Sequence, residues 1–390
     1  MNAATGQVIP LVQFIDRPGV IDLAWGHPDP TLLPVEGLKN AAARAFDHYG
    51  ADAVNYGYAA GPAPLIEWLG QRLAVIDAKG ALPEELLISG GTSQALDQVA
   101  TLFTRAGDIV LVESPTYHLA VRILQDHPLE LIAVPTDQHG IDVAAVEGVL
   151  RGLRGANRRV AFFYTIPTYQ NPTTSTLPIE RRRKLVDLAA SDGLLLVEDD
   201  AYRELAYDGP PPPSLWALSQ PGTVIRLGSF AKSLAPGLRS GFITADPATI
   251  GRIRDSGLLD SGGGISHFSS LVIAEFAATG EYERNVETLR NAYRQRREAL
   301  LATLTEKLGD RAGWQTPHGG YFVWITLPDG TSIERLGQAA LREGTSFMPA
   351  SAFYLDKAAA PSAIRLSFSR YSPDELIEAA TRLAKAIDST

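Results

Sequence analysis

The segment from Ser229 to Arg239 carries the most specific chemistry in this sequence. It follows the mostly apolar run 224–227 and places one amine, that of Lys232, between a hydroxyl and a guanidinium. The Lys232 amine can form a Schiff base with an aldehyde, and Ser229 and Arg239 can donate hydrogen bonds to a phosphate. These groups together suit a phosphorylated aldehyde such as pyridoxal phosphate. By itself the segment is equally well explained as an exposed cationic loop.

A second group of polar side chains follows the apolar run 194–197, which has the length of a buried parallel strand. Open α/β sheets bind ligands at the carboxyl ends of their strands. Asp199 can pair there with a pyridinium nitrogen and keep it protonated, so that the ring accepts electrons from a breaking Cα bond. Tyr202 can donate to the phenolic oxygen of the ring. The alternative is an ordinary acidic turn.

Three further strand ends carry candidate cofactor ligands. Asn171, in a Gln-Asn-Pro turn, can donate to the phenolic oxygen, or it can simply form the turn. Gly91, Thr92 and Ser93 begin a predicted helix, whose free N–H groups attract an anion such as a phosphate, although Thr92 or Ser93 is also an ordinary N-cap. Tyr117 can stack on a flat ring, or it can be a core or loop tyrosine.

Six motifs in this order resemble the pyridoxal-phosphate enzymes of the aspartate-aminotransferase fold, known as class I/II or fold type I. The resemblance covers almost the whole chain and is closest to the branch with 2-aminoadipate and aromatic aminotransferases and the effector domains of MocR-type regulators. The motifs are 90–94, 115–117, 170–172, 199–202, 229–232 with Arg239, and 365–368.

The resemblance assigns three positions that the residues alone do not. It implies that Tyr56 reaches the cofactor phosphate of a neighbouring subunit, so that the protein is a homodimer with shared active sites. It implies that Arg365 holds the substrate α-carboxylate, together with Asn171, and that the backbone of Gly26 approaches the same carboxylate. Without the resemblance, Tyr56, Arg365 and Gly26 would be interpreted as a packed tyrosine, an arginine on a strand and a glycine in a turn.

The resemblance implies an enzyme that acts at the Cα of an amino acid. Its amino group would pass to a 2-oxo acid through a Lys232 Schiff base and a pyridoxamine intermediate. Three departures keep other reactions open: Trp25 and His27 flank Gly26, and Thr174 stands where the branch usually has glycine. The alternatives are a cyclase, an oxidase or a β/γ-lyase on the same site. A non-catalytic ligand-sensing domain is less favoured, because we expect no helix-turn-helix domain before Gly26.

Composition excludes several classes of function. The net charge is −9 and no basic tract is concentrated along the chain, which argues against nucleic-acid binding. The absence of cysteine excludes disulfides and thiolate metal sites, and we predict no metal ligands. The sequence shows neither a secretory leader nor an apolar stretch of the ~20 residues that cross a bilayer. We therefore expect a cytoplasmic protein without a membrane partner.

Seven predicted strands alternate with helices, a pattern typical of an α/β fold with a mainly parallel sheet covered by helices on both faces. They lie near Leu86, Ile109, Leu131, Val160, Leu194, Val224 and Gly241. At 390 residues, two domains are expected. We predict a large cofactor-binding domain at 51–285 and a smaller α+β domain at 286–390. An N-terminal arm with the first helix, 1–50, is expected to pack with the small domain.

Overall fold

The computed structural model describes residues 17–77 and 79–390. The strands are β1 Ile21–Asp22, β2 Leu86–Ser89, β3 Ile109–Ser114, β4 Glu130–Asp137, β5 Gly140–Ile141, β6 Val160–Thr165, β7 Leu196–Asp199, β8 Val224–Ser229, β9 Gly241–Thr244, β10 Gly313–Trp314, β11 Phe322–Thr326, β12 Thr345–Ser346, β13 Met348–Pro349 and β14 Ala363–Ser367.

The helices are α1 Val35–Tyr49, α2 Ala63–Asp77, α3 Thr92–Phe103, α4 His118–Gln125, α5 Val143–Gly155, α6 Ile179–Asp192, α7 Leu215–Leu218, α8 Pro247–Arg254, α9 Gly257–Gly262, α10 His267–Ala278, α11 Glu281–Leu308, α12 Ile333–Glu343 and α13 Pro373–Asp388. Among the described residues, none of these helices is both long and apolar enough to cross a membrane.

In the described part of the chain, the large sheet has eight strands in the order β2-β9-β8-β7-β6-β3-β4-β5. Neighbours from β8 to β4 are parallel, whereas β9 runs antiparallel to both of its neighbours. The predicted α/β class and all seven predicted strands are confirmed. The eighth strand, β5, pairs with β4 through only two residues, which is too short to leave a pattern in the sequence.

The central strands bury both faces, which explains why their sequences read as continuous apolar runs. The strands β3, β6, β7 and β8 are mutually parallel, so their carboxyl ends lie along one edge of the sheet. Their last residues are Ser114, Thr165, Asp199 and Ser229. This edge brings together side chains that are far apart in sequence.

A second sheet, in the order β10-β11-β14-β13, is antiparallel and comes from the C-terminal part of the chain. Arg365 on β14 pairs with Trp324 on β11 and with Met348 on β13. Paired residues point to the same face, so Arg365 lies in the middle of this face. Leu23, from the N-terminal part of the chain, belongs to the same hydrophobic cluster as Leu366.

The first helix packs differently from the sequence-based expectation. Ala41 and Ala45 of α1 lie in the cluster that contains Phe276 of α10. The residues of the N-terminal region that pack with the second sheet, in the cluster that contains Leu366, all precede α1: Ile21, Leu23 and Leu32. Small alanine side chains allow α1 to approach α10, whose residues are apolar and buried on most sides. The domain limits 1–50, 51–285 and 286–390 stay predictions.

Candidate active site

Lys232 lies in the loop that follows β8, close to the N-terminal segment. Its Nζ donates a hydrogen bond to the Gly26 carbonyl oxygen over 3.2 Å. The same Nζ lies 5.2 Å from the ring centroid of Tyr321 and 5.9 Å from that of Tyr202. The Tyr321 hydroxyl in turn donates to the Lys232 backbone carbonyl. The amine therefore lies among aromatic rings, and within the described residues it donates to one neutral acceptor.

The surroundings of Lys232 favour its neutral form. Burial, followed by repulsion from Arg365 and Arg239, lowers the pKa of the Lys232 amine from 10.5 to about 8, although Asp199 partly opposes the change. A larger fraction of the amine is therefore unprotonated near neutral pH than for a free lysine. An unprotonated amine can act as a nucleophile or accept a proton.

Asp199, the last residue of β7, has one satisfied and one unsatisfied oxygen. The Tyr164 hydroxyl donates to Oδ2 over 2.7 Å. The other oxygen, Oδ1, is buried and has no hydrogen-bond partner among the described residues. Burial raises the pKa of Asp199 to about 6, against the effect of the Tyr164 hydrogen bond. The protonated ring nitrogen of pyridoxal phosphate is a donor of the kind that Oδ1 lacks.

The N-terminus of α3 and Arg239 meet at one end of this site. Gly91 is the N-cap of α3 and has a φ of +87°, a conformation that favours glycine. Arg239 Nη2 donates to the Gly90 carbonyl over 3.2 Å. Thr92 and Ser93 are the first residues of α3, where the backbone N–H groups have no partner within the helix. This arrangement provides cationic and N–H donors for a phosphate.

Ser229 lies beside the same anion-binding end. It ends β8 and pairs with Gly241 on β9. A Cβ added to Gly241 would lie 2.8 Å from Gly91 Cα, so the two strands and the start of α3 touch here. The Ser229 hydroxyl oxygen accepts a hydrogen bond from the Ala231 N–H over 3.0 Å, which leaves its own proton available to donate.

Tyr117 and Tyr202 line the space around Asp199. Tyr117 is the N-cap of α4, and burial, with the charge of Asp199, raises the pKa of its hydroxyl to about 12. Tyr202 is buried and packs edge to face against Tyr321, with ring centroids 5.5 Å apart. Burial raises the pKa of Tyr202 well above its ordinary value. Both hydroxyls therefore stay protonated and can donate hydrogen bonds.

Arg365 and Asn171 are brought together although 194 positions separate them. Arg365 Nη1 donates to Asn171 Oδ1 and Nη2 donates to the Ala24 carbonyl, both over 2.6 Å. The guanidinium carbon lies 3.9 Å from the ring centroid of Phe322 and 4.8 Å from that of Phe353. Arg365 Nε is buried without a partner among the described residues. Burial lowers the pKa of Arg365 to about 10, so the group remains a cation at neutral pH.

Gly26 connects Lys232 to the Arg365 region. Its carbonyl oxygen accepts from Lys232, and a Cβ at this position would lie only 2.6 Å from Phe322 Cζ. Only glycine allows this approach without moving the ring that supports Arg365. The residue Trp25 next to it packs against His118, with ring centroids 6.1 Å apart.

The chain does not bring Tyr56 to the other predicted residues. Its side chain is 83% exposed, and its backbone N–H donates to Asn55 Oδ1. No hydrogen bond within the described part of the chain joins Tyr56 to Lys232 or Arg239. The role of Tyr56 in a neighbouring subunit stays a prediction.

Several residues of this site escape sequence reasoning. Tyr164 lies inside the apolar run of β6, where nothing distinguishes it from a core residue until its hydroxyl is seen on Asp199. Tyr321, Phe322 and Phe353 come from the C-terminal region and meet Lys232 or Arg365 only through tertiary packing. A usable signal for Tyr164 is that a buried tyrosine hydroxyl usually needs a partner.

Comparison with known proteins fits this geometry. The family described as aminotransferase class I and II matches residues 19–383. Aromatic-amino-acid aminotransferase 1 of Thermococcus litoralis is 33% identical, with 99% of this chain and 92% of the relative covered. The 2-aminoadipate transaminase of Thermus thermophilus is 35% identical, with 97% and 92% covered.

A solved structure provides a similar match. Kynurenine aminotransferase of Pyrococcus horikoshii, in complex with PMP, with KYN as substrate and KYA as product, has a TM-score of 0.89 and 33% identity, with 95% of this chain and 91% of that chain covered. The chain thus belongs to the class I and II aminotransferase family, and it is a pyridoxal-phosphate-dependent enzyme that transfers an amino group from an amino acid to a 2-oxo acid.

Proposed function

We propose that Lys232 is the catalytic residue of this aminotransferase and that the surrounding side chains divide into a cofactor set and a substrate set. The main supporting observation concerns Asp199 Oδ1, which is buried and has no hydrogen-bond partner in the part of the chain that the structure describes. The Asp199 carboxylate and the Lys232 amine, whose pKa is lowered, are close enough for their charges to affect each other. The proposed cofactor ligands are Gly91, Thr92, Ser93, Tyr117, Asn171, Asp199, Tyr202, Ser229, Lys232 and Arg239, with Tyr56 from the neighbouring subunit.

Pyridoxal phosphate supplies an aldehyde carbon for the amino group and an electron-withdrawing ring that stabilises negative charge at the substrate Cα. Asp199 would hold the ring nitrogen through Oδ1, while Tyr164 fixes the orientation of the carboxylate through Oδ2. Ser229, Arg239 and the start of α3 would bind the phosphate. The donors for the phosphate and the acceptor for the ring nitrogen thus come from separate elements.

Lys232 would move the proton at the substrate Cα. To do so its Nζ must leave the Gly26 carbonyl, which costs only one neutral hydrogen bond. The lowered pKa of the amine makes its unprotonated form available at neutral pH. The rings of Tyr202 and Tyr321 restrict access of water to Nζ, because both lie within 6 Å of it.

Arg365, Asn171 and Gly26 form the proposed substrate set. Arg365 Nε has no partner within residues 17–77 and 79–390, and the planar guanidinium suits a carboxylate. Asn171 and Ala24 hold its other two nitrogens, so that the fork has a fixed orientation before substrate binds. An α-carboxylate at this point would place the substrate Cα near Lys232, since the charge of Arg365 is close enough to lower the pKa of the Lys232 amine.

The class of amino acid is proposed from the wall beside Arg365. Phe353 packs on Arg365 and also on His118, with ring centroids 5.4 Å apart, and His118 packs on Trp25. Burial and the charges of Arg365 and Arg122 lower the pKa of His118 to about 4, so this wall is neutral. A flat neutral wall suits an aromatic amino acid better than it suits an acidic amino acid. This agrees with the name of the Thermococcus litoralis relative.

We further propose a homodimer in which each chain lends Tyr56 to the other site. Support comes from exposed apolar residues in this region: Val54, Tyr56 and Tyr58 are 65%, 83% and 69% exposed. Monomers rarely expose contiguous apolar patches, and a two-fold interface would cover the same patch on both chains. The cytoplasmic location also stays a prediction.

An isotope experiment tests the function. The protein, loaded with cofactor, is mixed with one 15N-labelled amino acid at a time and with 2-oxoglutarate. We expect 15N-glutamate, formed faster from phenylalanine or tyrosine than from aspartate. Release of labelled ammonia instead would indicate a lyase, or an oxidase if oxygen is consumed, and would contradict the proposal.

A further inference from the structure

A buried carboxyl group lies under the turn that carries Tyr117. Glu113, on β3, is only 3% exposed. Its Oε1 accepts from the Thr165 hydroxyl over 2.5 Å and from the Ile166 N–H over 3.1 Å. Its Oε2 accepts from Gln170 Nε2 over 2.9 Å. These donors are the last residue of β6 and two residues of the segment that follows it, so Glu113 holds this segment against the end of β3.

Gln170 extends this connection in two directions. Its Nε2 also donates to the Pro115 carbonyl over 2.8 Å, and its Oε1 accepts from the Thr173 N–H and hydroxyl over 2.8 and 2.9 Å. Reversing the amide would place its oxygen against the Pro115 carbonyl oxygen and its NH2 group against the Thr173 N–H. The Gln170 amide therefore has one satisfactory orientation, and a carboxylate at Glu113 complements it.

Two routes lead from this pair of residues to Arg365. Asn171 directly follows Gln170 and accepts from Arg365 Nη1. Thr116, in the turn that Gln170 also holds, donates its N–H to the Phe353 carbonyl over 3.0 Å. The Phe353 ring packs on the Arg365 guanidinium. Both supports of the carboxylate-binding group therefore depend on the same buried hydrogen bonds.

We propose that Glu113 and Gln170 are positioning residues that hold Asn171 and Phe353 around Arg365 and thereby set the affinity of the site for the substrate carboxylate. This inference rests on the proposed role of Arg365. We expect neither residue to touch the substrate, because Glu113 and Gln170 are only 3% and 2% exposed. Burial raises the pKa of Glu113, while the hydrogen bond from Thr165 opposes this rise.

Glu113→Gln and Gln170→Met test the pair in the cofactor-loaded enzyme. In Glu113→Gln, one amide NH2 faces another, so the contact to Gln170 is lost while Thr165 keeps an acceptor. We expect each variant to raise the KM for the amino acid and for the oxo acid about tenfold, with kcat within about threefold, as for a lost binding interaction. The double variant should be no worse than the more affected single one, because both remove the same contact.

Glu198→Gln is the matched control. Glu198 is also fully buried at the end of a central strand, and its carboxylate accepts from the Leu215 and Trp216 N–H groups, both over 3.0 Å. This variant also disturbs a buried carboxyl group, but it does not touch the segment that carries Asn171. We expect a lower thermal midpoint in both variants and a raised KM only in Glu113→Gln.

Calorimetric binding of 3-phenylpropanoate to the cofactor-loaded protein separates this inference from the proposed reaction. The probe has a carboxylate but no amino group, so its Kd reports the Arg365 site even if no amino group is transferred. We expect Kd to rise about tenfold in Glu113→Gln and Gln170→Met, and to stay unchanged in Glu198→Gln. Unchanged KM and Kd in the first two variants, with only a lower thermal midpoint, would overturn the proposal.

Discussion

The Lys232 amine shows at the residue scale how the fold changes ordinary chemistry. Its pKa is lowered to about 8, because burial and nearby guanidinium groups disfavour the charged form more than Asp199 favours it. An amine with a lowered pKa loses its proton at a lower pH than a free lysine does. The unprotonated, nucleophilic form of the amine is therefore available near neutral pH.

After removal of the cofactor, the acylation rate of Lys232 should rise with pH and reach half of its plateau at about pH 8. The rate can be followed at this one residue by peptide mass spectrometry, with a lysine-containing model peptide as the reference. A midpoint equal to that of the peptide would show that the amine is not perturbed.

Asp199→Asn should reduce kcat by about 100-fold, because it removes the charge that keeps the ring nitrogen protonated. The shape of the side chain is kept, so cofactor retention after gel filtration should change little. Tyr164→Phe is the control, since it removes the donor to Oδ2 but leaves the carboxylate. Unchanged kcat in Asp199→Asn at saturating cofactor would mean that another group holds the ring nitrogen.

At the scale of the elements, the segment from Ala24 to Gly26 joins the two sheets of the site. The Ala24 carbonyl accepts from Arg365 and the Gly26 carbonyl accepts from Lys232, so two residues on either side of Trp25 hold the two cations of the proposed site. The close approach of Gly26 to Phe322 makes the backbone here intolerant of a side chain.

Gly26→Ala should raise the KM for the amino acid about tenfold, because the new Cβ displaces the Phe322 ring under Arg365. Overpacking of this kind also costs about 1–3 kcal/mol of stability. Steady-state kinetics and thermal unfolding measure the two effects. Gly148→Ala is the control, since a Cβ at Gly148 in α5 would meet no atom within 4 Å. An unchanged KM in Gly26→Ala would contradict the placement of Phe322 against this glycine.

The elements were largely predictable because buried parallel strands are apolar runs and the candidate ligands follow directly after them. What was not predictable depends on contacts between distant segments. The two-residue strand β5 has no pattern, and the sequence around α1 does not reveal its packing on α10. Thr174, where the branch usually has glycine, keeps a φ of +66°. This left-handed conformation is strained for a threonine, and the residue type alone does not indicate that the turn adopts it.

The active site of the whole molecule is proposed to need two chains. Tyr56→Phe and Lys232→Ala chains should each be inactive or strongly impaired alone. When subunits are exchanged, a site that keeps its own Lys232 can receive an intact Tyr56 from the other chain, so part of the activity should return. Activity assays of the mixture, with sedimentation analysis of its mass, measure this recovery. An impaired Tyr56→Phe enzyme that stays inactive in mixed dimers would show that Tyr56 serves its own chain.

The central claim is that Lys232 and its surroundings support transfer of an amino group rather than its release. The most direct measurement is the amount of oxo acid formed from phenylalanine by the cofactor-loaded protein without an acceptor. Transfer predicts an amount equal to that of the active sites, followed by a stop that 2-oxoglutarate relieves, and no product from Lys232→Ala. Continued formation without an acceptor, with release of ammonia or hydrogen peroxide, would contradict the account.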